Sequence, residues 1–262
     1  MSRVALVTGA ARGIGAATVK GLAAEGWGVI AVDRCEDDPR LPYALGTREQ
    51  LDEVVERAGS GDAGVIGLSG DAAEEDVLVA AVEAAAGLGE LEAIIAGAGN
   101  IAGGAPAWEV PAGQQQAVLE VNLGAVIAAA RVGIPALLAR PEPRSGRFIA
   151  ISSAAASRGM PGLAVYSAAK AGVLGFVRGL ASDLRGTGVT ANAVAPGSTR
   201  TPLLDESARL YDLESAAAFA PQQPLDRLLE PAEVAAMITW LAGPDSSAVT
   251  GATLPVDGGL SL

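Results

Sequence analysis

Short apolar runs alternate along this chain with longer stretches in which apolar positions recur every three or four residues. The short runs are typical of strands buried on both faces, and the longer pattern is typical of helices that cover a sheet. Glycine, proline and charged residues separate the two kinds of segment. The pattern predicts strands at residues 3–8, 28–32, 65–70, 91–96, 147–151, 189–195 and 252–256.

Helical stretches follow most of these strands. At 262 residues the chain could form one large α/β domain or two small ones, and composition alone does not decide between them. The stretch at 114–138 predicts one long or broken helix, and the stretch at 203–219 predicts a mobile helical segment. The remaining helices are predicted to end near residue 25 and to span residues 47–58, 74–87 and 231–241.

Composition and charge exclude several classes of function. Half of the residues are apolar and few are aromatic, so the core must consist of Ala, Val, Leu and Ile. A formal charge of −12 argues against nucleic acid as a partner, because such binding neutralises phosphates with Lys and Arg. The same charge argues against anionic membranes. The most apolar long stretch, residues 121–138, contains Asn122 and Arg131 and is too interrupted to predict a membrane span.

Missing residue types narrow the chemistry further. The chain has no His, which removes Ser-His-Asp and Cys-His catalysis and the common zinc sites, and we expect no metal site. Cys35 is the single cysteine, so an intrachain disulfide is impossible. Proton transfer must therefore fall to Tyr, Lys, Asp or Glu. The N-terminus lacks the pattern of a signal peptide, so we expect a cytoplasmic protein.

A glycine-rich turn follows the first predicted strand and opens the first helix. Gly9 allows a tight reversal, Gly13 lets the backbone approach a pyrophosphate, and Gly15 lets the helix lie on the sheet. The free N–H groups at the start of the helix can then bind phosphates. Because the glycines lie between a strand and a helix, the sequence predicts a dinucleotide site here.

Asp33 ends the second predicted strand. A carboxylate at this place can accept both hydroxyls of an adenosine ribose, although a solvated loop residue would have the same pattern. The carboxylate would also oppose the 2′-phosphate of NADP, by up to ~4 kcal/mol for a charge pair at 4 Å in an effective dielectric of 20. Arg12 and Arg34 could offset part of that repulsion, so the sequence favours NAD over NADP.

About thirty residues separate Asp33 from the next strand, which is more than one helix and two ordinary turns require. This insertion, residues 34–62, is either an extended surface loop or a flap over the adenine end of the cofactor. Asp71, after the third strand, is a candidate adenine contact. The small residues at 97–100 let the backbone pass close to a ribose and nicotinamide, or form a merely structural turn.

Four polar side chains in the second half could carry the chemistry. Tyr166 and Lys170 lie four residues apart and therefore on one face of a helix, although such pairs more often contact solvent. Asn122 lies inside a helix and is either an ordinary core amide or a group that holds water. Ser153 follows a strand, where serine usually caps a turn.

Together these segments make the chain resemble a short-chain dehydrogenase/reductase. The residues that carry the resemblance are the glycine turn at 8–15, Asn122, Ser153, Tyr166-x-x-x-Lys170, and the segment at 196–201, and the match covers residues 4–259. The resemblance implies a single doubly wound Rossmann domain, an α/β fold with a seven-stranded parallel sheet flanked by helices. It also implies Asn122, Ser153, Tyr166 and Lys170 as the catalytic residues.

The resemblance further implies the residues that bind the cofactor. One departure is that residues 96–99 read Ala-Gly-Ala-Gly where the family commonly has Asn-Asn-Ala-Gly, which puts the bracing of the central sheet in doubt. The cofactor-binding residues are expected to be Gly9, Ala11, Arg12, Gly13, Ile14, Asp33, Arg34, Asp71, Ala72, Ala98, Gly99, Tyr166, Lys170, Pro196, Gly197, Thr199 and Thr201.

A mechanism follows from the same residues. Free tyrosine titrates near ~10, so Tyr166 needs a pKa lowered by about 2–3 units, which Lys170 and the nicotinamide cation are expected to supply. Tyr166 would take the proton of an alcohol as hydride moves to NAD, and would return it in the reverse direction. Ser153 would bind the substrate oxygen, Lys170 the nicotinamide ribose, and Asn122 a water of a proton relay.

Residues 31–35 and 41–51 resemble the insertion of mycofactocin-coupled dehydrogenases, a branch that includes carveol dehydrogenases. That resemblance implies NAD that does not exchange, with mycofactocin as the electron acceptor. The resemblance to the short-chain family implies a homotetramer built partly on helices around Asn122 and Tyr166. Small faces such as Ala128, Ala129 and Gly172 allow close approach, although packing within one subunit would need them too. The alternatives are an ordinary reductase of ketones or 3-oxoacyl groups with exchangeable NAD(P)H, or a catalytically silent NAD-binding regulator.

Residues 199–225 are expected to form a substrate lid. Its apolar side chains predict a hydrophobic alcohol or ketone as substrate, although a lid that is apolar merely for packing would have the same pattern. The side chains concerned are Leu204, Leu210, Tyr211 and Phe219, beside Met160 and Leu163.

Overall fold

Within residues 2–59 and 64–262, which the computed structural model describes, seven parallel strands form one sheet in the order β3-β2-β1-β4-β5-β6-β7. This confirms the predicted doubly wound α/β fold. The last residues of the predicted insertion, 60–62, lie outside the described residues. The strands are β1 Arg3–Thr8, β2 Gly28–Asp33, β3 Val65–Ser69, β4 Glu90–Ala96, β5 Arg147–Ile151, β6 Thr190–Pro196 and β7 Thr253–Val256.

The central strands are buried on both faces, which explains their continuous apolar runs. Val4 and Leu6 of β1 pack into the core on one side of the sheet, and Ala5 and Val7 pack into the core on the other side. Successive side chains of a strand point to opposite faces, so each run supplies both cores at once. The two cores hold the helices against the sheet.

Helices cover both faces. One layer consists of α1, α2 and α8, and the other contains α3, α5 and α6. In the described residues the helices are α1 Gly13–Ala24, α2 Arg48–Ala58, α3 Glu75–Ala85, α4 Ala112–Leu119, α5 Ala125–Leu138, α6 Ala164–Asp183, α7 Pro202–Leu210 and α8 Pro231–Ala242.

The stretch predicted as one long or broken helix is interrupted by a π-helical turn. α4 and α5 are joined by the turn Glu120–Gly124, which contains Asn122. The combined helix Ala112–Leu138 is long and apolar enough to cross a membrane by length and composition. Eight residues of α5 are nevertheless buried in the chain, among them Ile134 and Leu137 in a core beside the sheet, as in a core helix of a globular domain.

The segment predicted to be helical and mobile at residues 203–219 contains two separate helical pieces. α7 ends at Leu210, and a 3₁₀ helix follows at Ala216–Gln222. Asp212 lies between them with φ = 52°, a left-handed conformation that turns the chain away from the α7 axis. The division lets the two helical pieces line a cavity from different directions.

The Ala-Gly-Ala-Gly segment after β4 is braced in another way than the family's usual amides provide. Thr8 Oγ1 accepts hydrogen bonds from the N–H groups of Gly97 (3.0 Å) and Ala98 (3.2 Å). Asn100, which is buried, donates to the carbonyl of Ala117 at 3.1 Å. The end of β1 and the helix α4 therefore hold the segment that follows β4.

Candidate active site

A cavity of about 550 Å³ lies at the carboxyl ends of the strands, where β1 and β4 are neighbours and the strand order changes direction. In open parallel sheets this is the place where ligands bind, because connections leave it to opposite faces. The cavity extends from the end of β2 to the start of α6.

The glycine turn between β1 and α1 lines the cavity. A Cβ on Gly9, whose φ is 72°, would lie 2.8 Å from the carbonyl oxygen of Gly97. A Cβ on Gly15 would lie 1.9 Å from the carbonyl oxygen of Gly9, so neither position accepts a side chain without moving backbone. The turn presents Arg12, Gly13 and Ile14 to the cavity, as predicted.

Asp33 lies at one end of the cavity, and its carboxylate is fixed by backbone. Its Oδ2 accepts the N–H of Ala11 at 2.9 Å, and its Oδ1 accepts the N–H of Cys35 at 3.3 Å. Ala11, expected to contact the cofactor, is buried and does not line the cavity among the described residues. Its part is to hold Asp33.

The other residues predicted at the cofactor end all line the cavity. Arg34 and Asp71 form an ion pair at 3.4 Å. Thr199 and Thr201 donate their hydroxyl protons to the carbonyls of Gly197 and Thr199, which leaves their oxygens as acceptors. The remaining lining residues from the predicted set are Ala72, Ala98, Gly99, Pro196 and Gly197.

Tyr166, Lys170 and Ser153 meet at the opposite end. All three line the cavity, and Tyr166 and Lys170 are 7% and 4% exposed. Lys170 Nζ donates to the carbonyl of Ile151 at 2.9 Å and lies 5.9 Å from the centre of the Tyr166 ring. Ser153 Oγ accepts the N–H of Ala155 at 3.1 Å, so it caps a turn and faces the cavity at once.

Burial decides the protonation of this pair. It raises the pKa of Tyr166, which hydrogen bonding to Ser153 lowers in part, and it lowers the pKa of Lys170 to about 8. Within the chain itself desolvation acts against the predicted lowering of the Tyr166 pKa, which was expected from Lys170 together with the nicotinamide cation. The ammonium is directed at the Ile151 carbonyl, and desolvation of the phenol is the larger effect.

Asn122 lies behind the cavity, fully buried, in the π turn. Its Nδ2 donates to the carbonyl of Asn100, to Asn100 Oδ1 and to the carbonyl of Val118, each at 2.9 Å. Its Oδ1 has no partner among the described residues. A Cβ built on Gly99 would lie 3.1 Å from that oxygen and 3.7 Å from Lys170 Nζ. A buried acceptor without a partner needs a water or ligand atom.

The cavity widens beside Tyr166 into an apolar compartment. Tyr211 donates its hydroxyl to the carbonyl of Pro161 at 2.6 Å, which joins the lid to the loop before α6. Leu210, expected in the lid, does not line the cavity among the described residues. Leu213 and Leu260 do, and sequence analysis missed both. The other apolar lining residues are Ile101, Met160, Leu163, Leu203, Leu204 and Phe219.

The insertion extends further than predicted. Leu41, Tyr43 and Leu45 pack in the same apolar cluster as Tyr166, so the insertion reaches the nicotinamide end as well as the adenine end. The Tyr43 hydroxyl accepts the N–H of Ile101 at 2.8 Å, and burial raises the pKa of Tyr43 to about 12. The alternation of Leu41, Tyr43 and Leu45 was the signal that could have indicated burial.

Comparison with known proteins agrees with this geometry. A family model described as enoyl-(acyl carrier protein) reductase matches residues 9–261. (−)-trans-Carveol dehydrogenase of Rhodococcus erythropolis is 32% identical, over 99% of this chain and 98% of its own length. The 3-oxoacyl-[acyl-carrier-protein] reductase FabG of Thermotoga maritima is 34% identical, over 99% of this chain and 98% of its own length.

Among solved structures, carveol dehydrogenase from Mycobacterium avium in complex with NAD superposes with a TM-score of 0.92 at 31% identity. The match covers 98% of this chain and 97% of that one. The chain belongs to the short-chain dehydrogenase/reductase family of oxidoreductases. The resemblance stated from its motifs is confirmed, including its likeness to carveol dehydrogenases.

Replacing Lys170 by methionine should change how stability depends on pH. Because the folded pKa of Lys170, about 8, lies below the ordinary 10.5, the unfolded chain binds the proton more tightly. Below pH 8 this destabilises the folded wild type, and the effect disappears as pH rises to 10.5. We expect the wild type to gain about 3 kcal/mol relative to Lys170→Met across that window, measured by urea unfolding.

Lys20→Met is the matched control, because Lys20 is exposed on α1. It should leave the pH dependence of the wild type unchanged. If the free energy of unfolding differs between wild type and Lys170→Met by the same amount at every pH, Lys170 does not have a lowered pKa in the folded chain.

Proposed function

We propose that this chain is an NAD-dependent oxidoreductase that interconverts a hydrophobic secondary alcohol and its ketone. The observation that carries the proposal is one cavity with two ends. Asp33 and the glycine turn lie at one end, and Tyr166, Ser153 and Lys170 lie at the other. A regulator that only bound a nucleotide would need the first end and not the second.

The residues fit NAD. Asp33 is held with its carboxylate at the cavity and would oppose a 2′-phosphate, which favours NAD over NADP. The N–H groups at the start of α1 suit a pyrophosphate, and the unpartnered Asn122 Oδ1 near Lys170 Nζ suits a bridging water. NAD supplies the acceptor or donor of the hydride. The Mycobacterium avium relative was crystallised with NAD.

The proton is handled by the chain's own residues. Tyr166 takes it from the alcohol, or returns it to the ketone oxygen, as general base or acid. Ser153, which lies beside Tyr166 in the cavity, donates a hydrogen bond to the same oxygen, where charge develops. Lys170 lies within the same compartment and would hold the nicotinamide ribose. Asn122, through its free Oδ1, would hold a water that connects Lys170 to solvent.

The substrate compartment supports an apolar, uncharged substrate. Among the described residues that line the cavity, charged side chains occur at the cofactor end or at Lys170. The compartment itself presents leucines, Met160, Phe219 and Tyr211. Carboxylates or phosphates on the substrate would find no cationic partner there, so hydrophobic contact would provide most of the binding.

Replacing Tyr166 by phenylalanine tests the reaction. The variant should retain NAD and lose at least ~100-fold in kcat, because a positioned acid or base commonly contributes that much. Steady-state turnover of a panel of hydrophobic alcohols with an artificial electron acceptor provides the measurement. Ser182→Ala, which removes a hydroxyl from the far end of the same helix, should behave as wild type. Turnover by Tyr166→Phe at the wild-type rate would contradict the proposal.

We further propose that the insertion holds NAD so firmly that it does not exchange, and that mycofactocin is the electron acceptor. Three contacts support the first part. Arg40 pairs with Glu120 at 2.6 Å, Tyr43 accepts from Ile101, and Gly46 lies against Asp33. A segment fastened along its length opens rarely, and cofactor release then becomes slow without any change in the hydride step.

Firm retention predicts that purified protein carries one NAD per chain. Denaturing dialysed protein and quantifying the released nucleotide measures this directly. Turnover should then depend on an artificial acceptor or mycofactocin and not on added NAD. Nucleotide lost on dialysis, with turnover driven by added NAD(P), would instead indicate an ordinary ketone or 3-oxoacyl reductase. Absence of turnover with every acceptor would indicate the regulator.

We also propose a homotetramer, as the family resemblance implies; a cytoplasmic location stays a prediction. Ala128 and Ala129 are buried within the subunit, so they do not provide an interface. α6 instead exposes the small residues Ala168, Ala171 and Gly175.

Ala171→Arg should therefore reduce the assembled mass measured by sedimentation. The control Ala80→Arg, on the exposed face of α3, should not. A wild-type chain that sediments as a monomer would contradict the assembly.

A further inference from the structure

A continuous line of charged side chains runs from the adenine end of the cavity along the insertion to the π turn. Asp71 pairs with Arg34 at 3.4 Å, and Arg34 pairs with Asp38 at 3.2 Å. Asp38 pairs with Arg40 at 2.7 Å, and Arg40 pairs with Glu120 at 2.6 Å. The line therefore begins at residues that line the adenine end and finishes at the π turn.

Asp38 holds Arg40 in place within this line of charged side chains. Its side chain is 1% exposed, and it accepts from both Nε and Nη2 of Arg40 and from the Arg40 N–H. Bidentate pairing of this kind sets the plane of a guanidinium as well as its position. The neighbouring arginines hold the pKa of Asp38 well below its usual range, so it remains charged. Asp38 therefore orients the Arg40 side chain independently of its contact with Glu120.

Glu120 is the first residue of the π turn, and its carboxylate accepts hydrogen bonds from two side chains. Its Oε2 accepts from Arg40 Nη1, and its Oε1 accepts from Gln116 Nε2 at 2.6 Å. Asn122 follows two residues later on the same turn, with its Nδ2 committed to three acceptors and its Oδ1 free. A π turn is often found at functional sites, where it adjusts the direction of a side chain.

An isolated, partly exposed ion pair contributes little, and Arg40 and Glu120 are 31% and 42% exposed. This pair differs because one partner is anchored on a buried carboxylate and because it joins positions 80 residues apart. The pair is therefore a polar tie between the insertion and the start of the π turn, beside the apolar cluster that Leu41 and Tyr43 share with Ala117 and Val118.

We propose that Arg40 is a positioning residue for Asn122, so that the closed insertion sets the orientation of the amide that holds the relay water. The proposal rests on the function proposed above, in which Asn122 takes part in proton transfer. It gives the insertion a part in the reaction itself, in addition to holding the cofactor. Opening at the adenine end would thereby disturb the proton path at the other end.

Hydrogen exchange in the purified protein gives a readout independent of turnover. Arg40→Gln and Glu120→Gln should speed amide exchange in residues 113–125, because the turn loses its tether. Arg48→Gln is the matched control, since Arg48 pairs with Asp52 on the exposed face of α2 in the same insertion. It should leave that exchange unchanged. Equal exchange in Arg40→Gln and Arg48→Gln would overturn the proposal.

Kinetics then separates positioning from general loosening. Arg40→Gln should lower kcat severalfold, within the ~2–30-fold range of such indirect couplings, with KM for the alcohol unchanged. In an Asn122→Ala background the same substitution should have no further effect on kcat. Arg40→Lys, which keeps one charged donor for Glu120, should recover part of the loss. Equal losses with and without Asn122 would overturn the proposal.

The two proposals fail separately. An inactive Tyr166→Phe together with a fully active Arg40→Gln would leave the oxidoreductase intact and remove this inference. If Arg40→Gln does not fold, Glu120→Gln and Arg40→Lys carry the same comparison, because each keeps the contact between Arg34 and Asp38.

Discussion

The neighbouring position of β1 and β4 is the constraint on which the site depends. These strands are distant in the chain but adjacent in the sheet, and their connections leave to opposite faces. A crevice must open where the connections part. Thr8 Oγ1, at the end of β1, then binds the backbone that follows β4 and fixes the width of that crevice. The glycine turn, the small residues at 97–99 and the start of α6 all face it.

The function proposed for this crevice needs polar side chains at buried positions, where apolar side chains are usual. A phenol, an ammonium and an amide with a free oxygen are enclosed together, and burial opposes the charged form of the first two. In a core built for stability alone these places would hold apolar side chains. Backbone carbonyls accept hydrogen bonds from Lys170 Nζ and Asn122 Nδ2, which offsets part of the cost of burying these polar groups. Burying these polar groups reduces the stability of the fold around the proposed catalytic residues.

Much of the fold was accessible from the sequence because it depends on local patterns. All seven strands were predicted to within two residues at each end, since a strand buried on both faces leaves a short, continuous apolar run. The positions of Asp33, Ser153 and Tyr166 at the cavity were expected from the ordered set of motifs that carries the family resemblance, since each residue taken alone also fits an ordinary structural role.

The remainder depends on contacts between distant parts of the chain. The reach of Tyr43 to Ile101 and the pairing of Arg40 with Glu120 join segments whose separation in sequence gives no hint of proximity. The π turn differs from an α-helix by its hydrogen bonds and not by its apolar spacing. The effect of burial on the Tyr166 pKa and the direction in which Lys170 Nζ points are likewise set by the fold and not by the sequence pattern.

Gly46 has a consequence for how cofactor choice is encoded. A Cβ at this position would lie 2.8 Å from Asp33 Oδ1, so the backbone of the insertion forms a roof directly over the carboxylate. The proposed selection against an extra phosphate would then have two independent sources, the charge of Asp33 and the closeness of the Gly46 backbone to it. Replacing Asp33 by a neutral residue would remove the charge but leave the backbone of the insertion in place above it. A change of cofactor would require the insertion to be rebuilt together with the strand end beneath it.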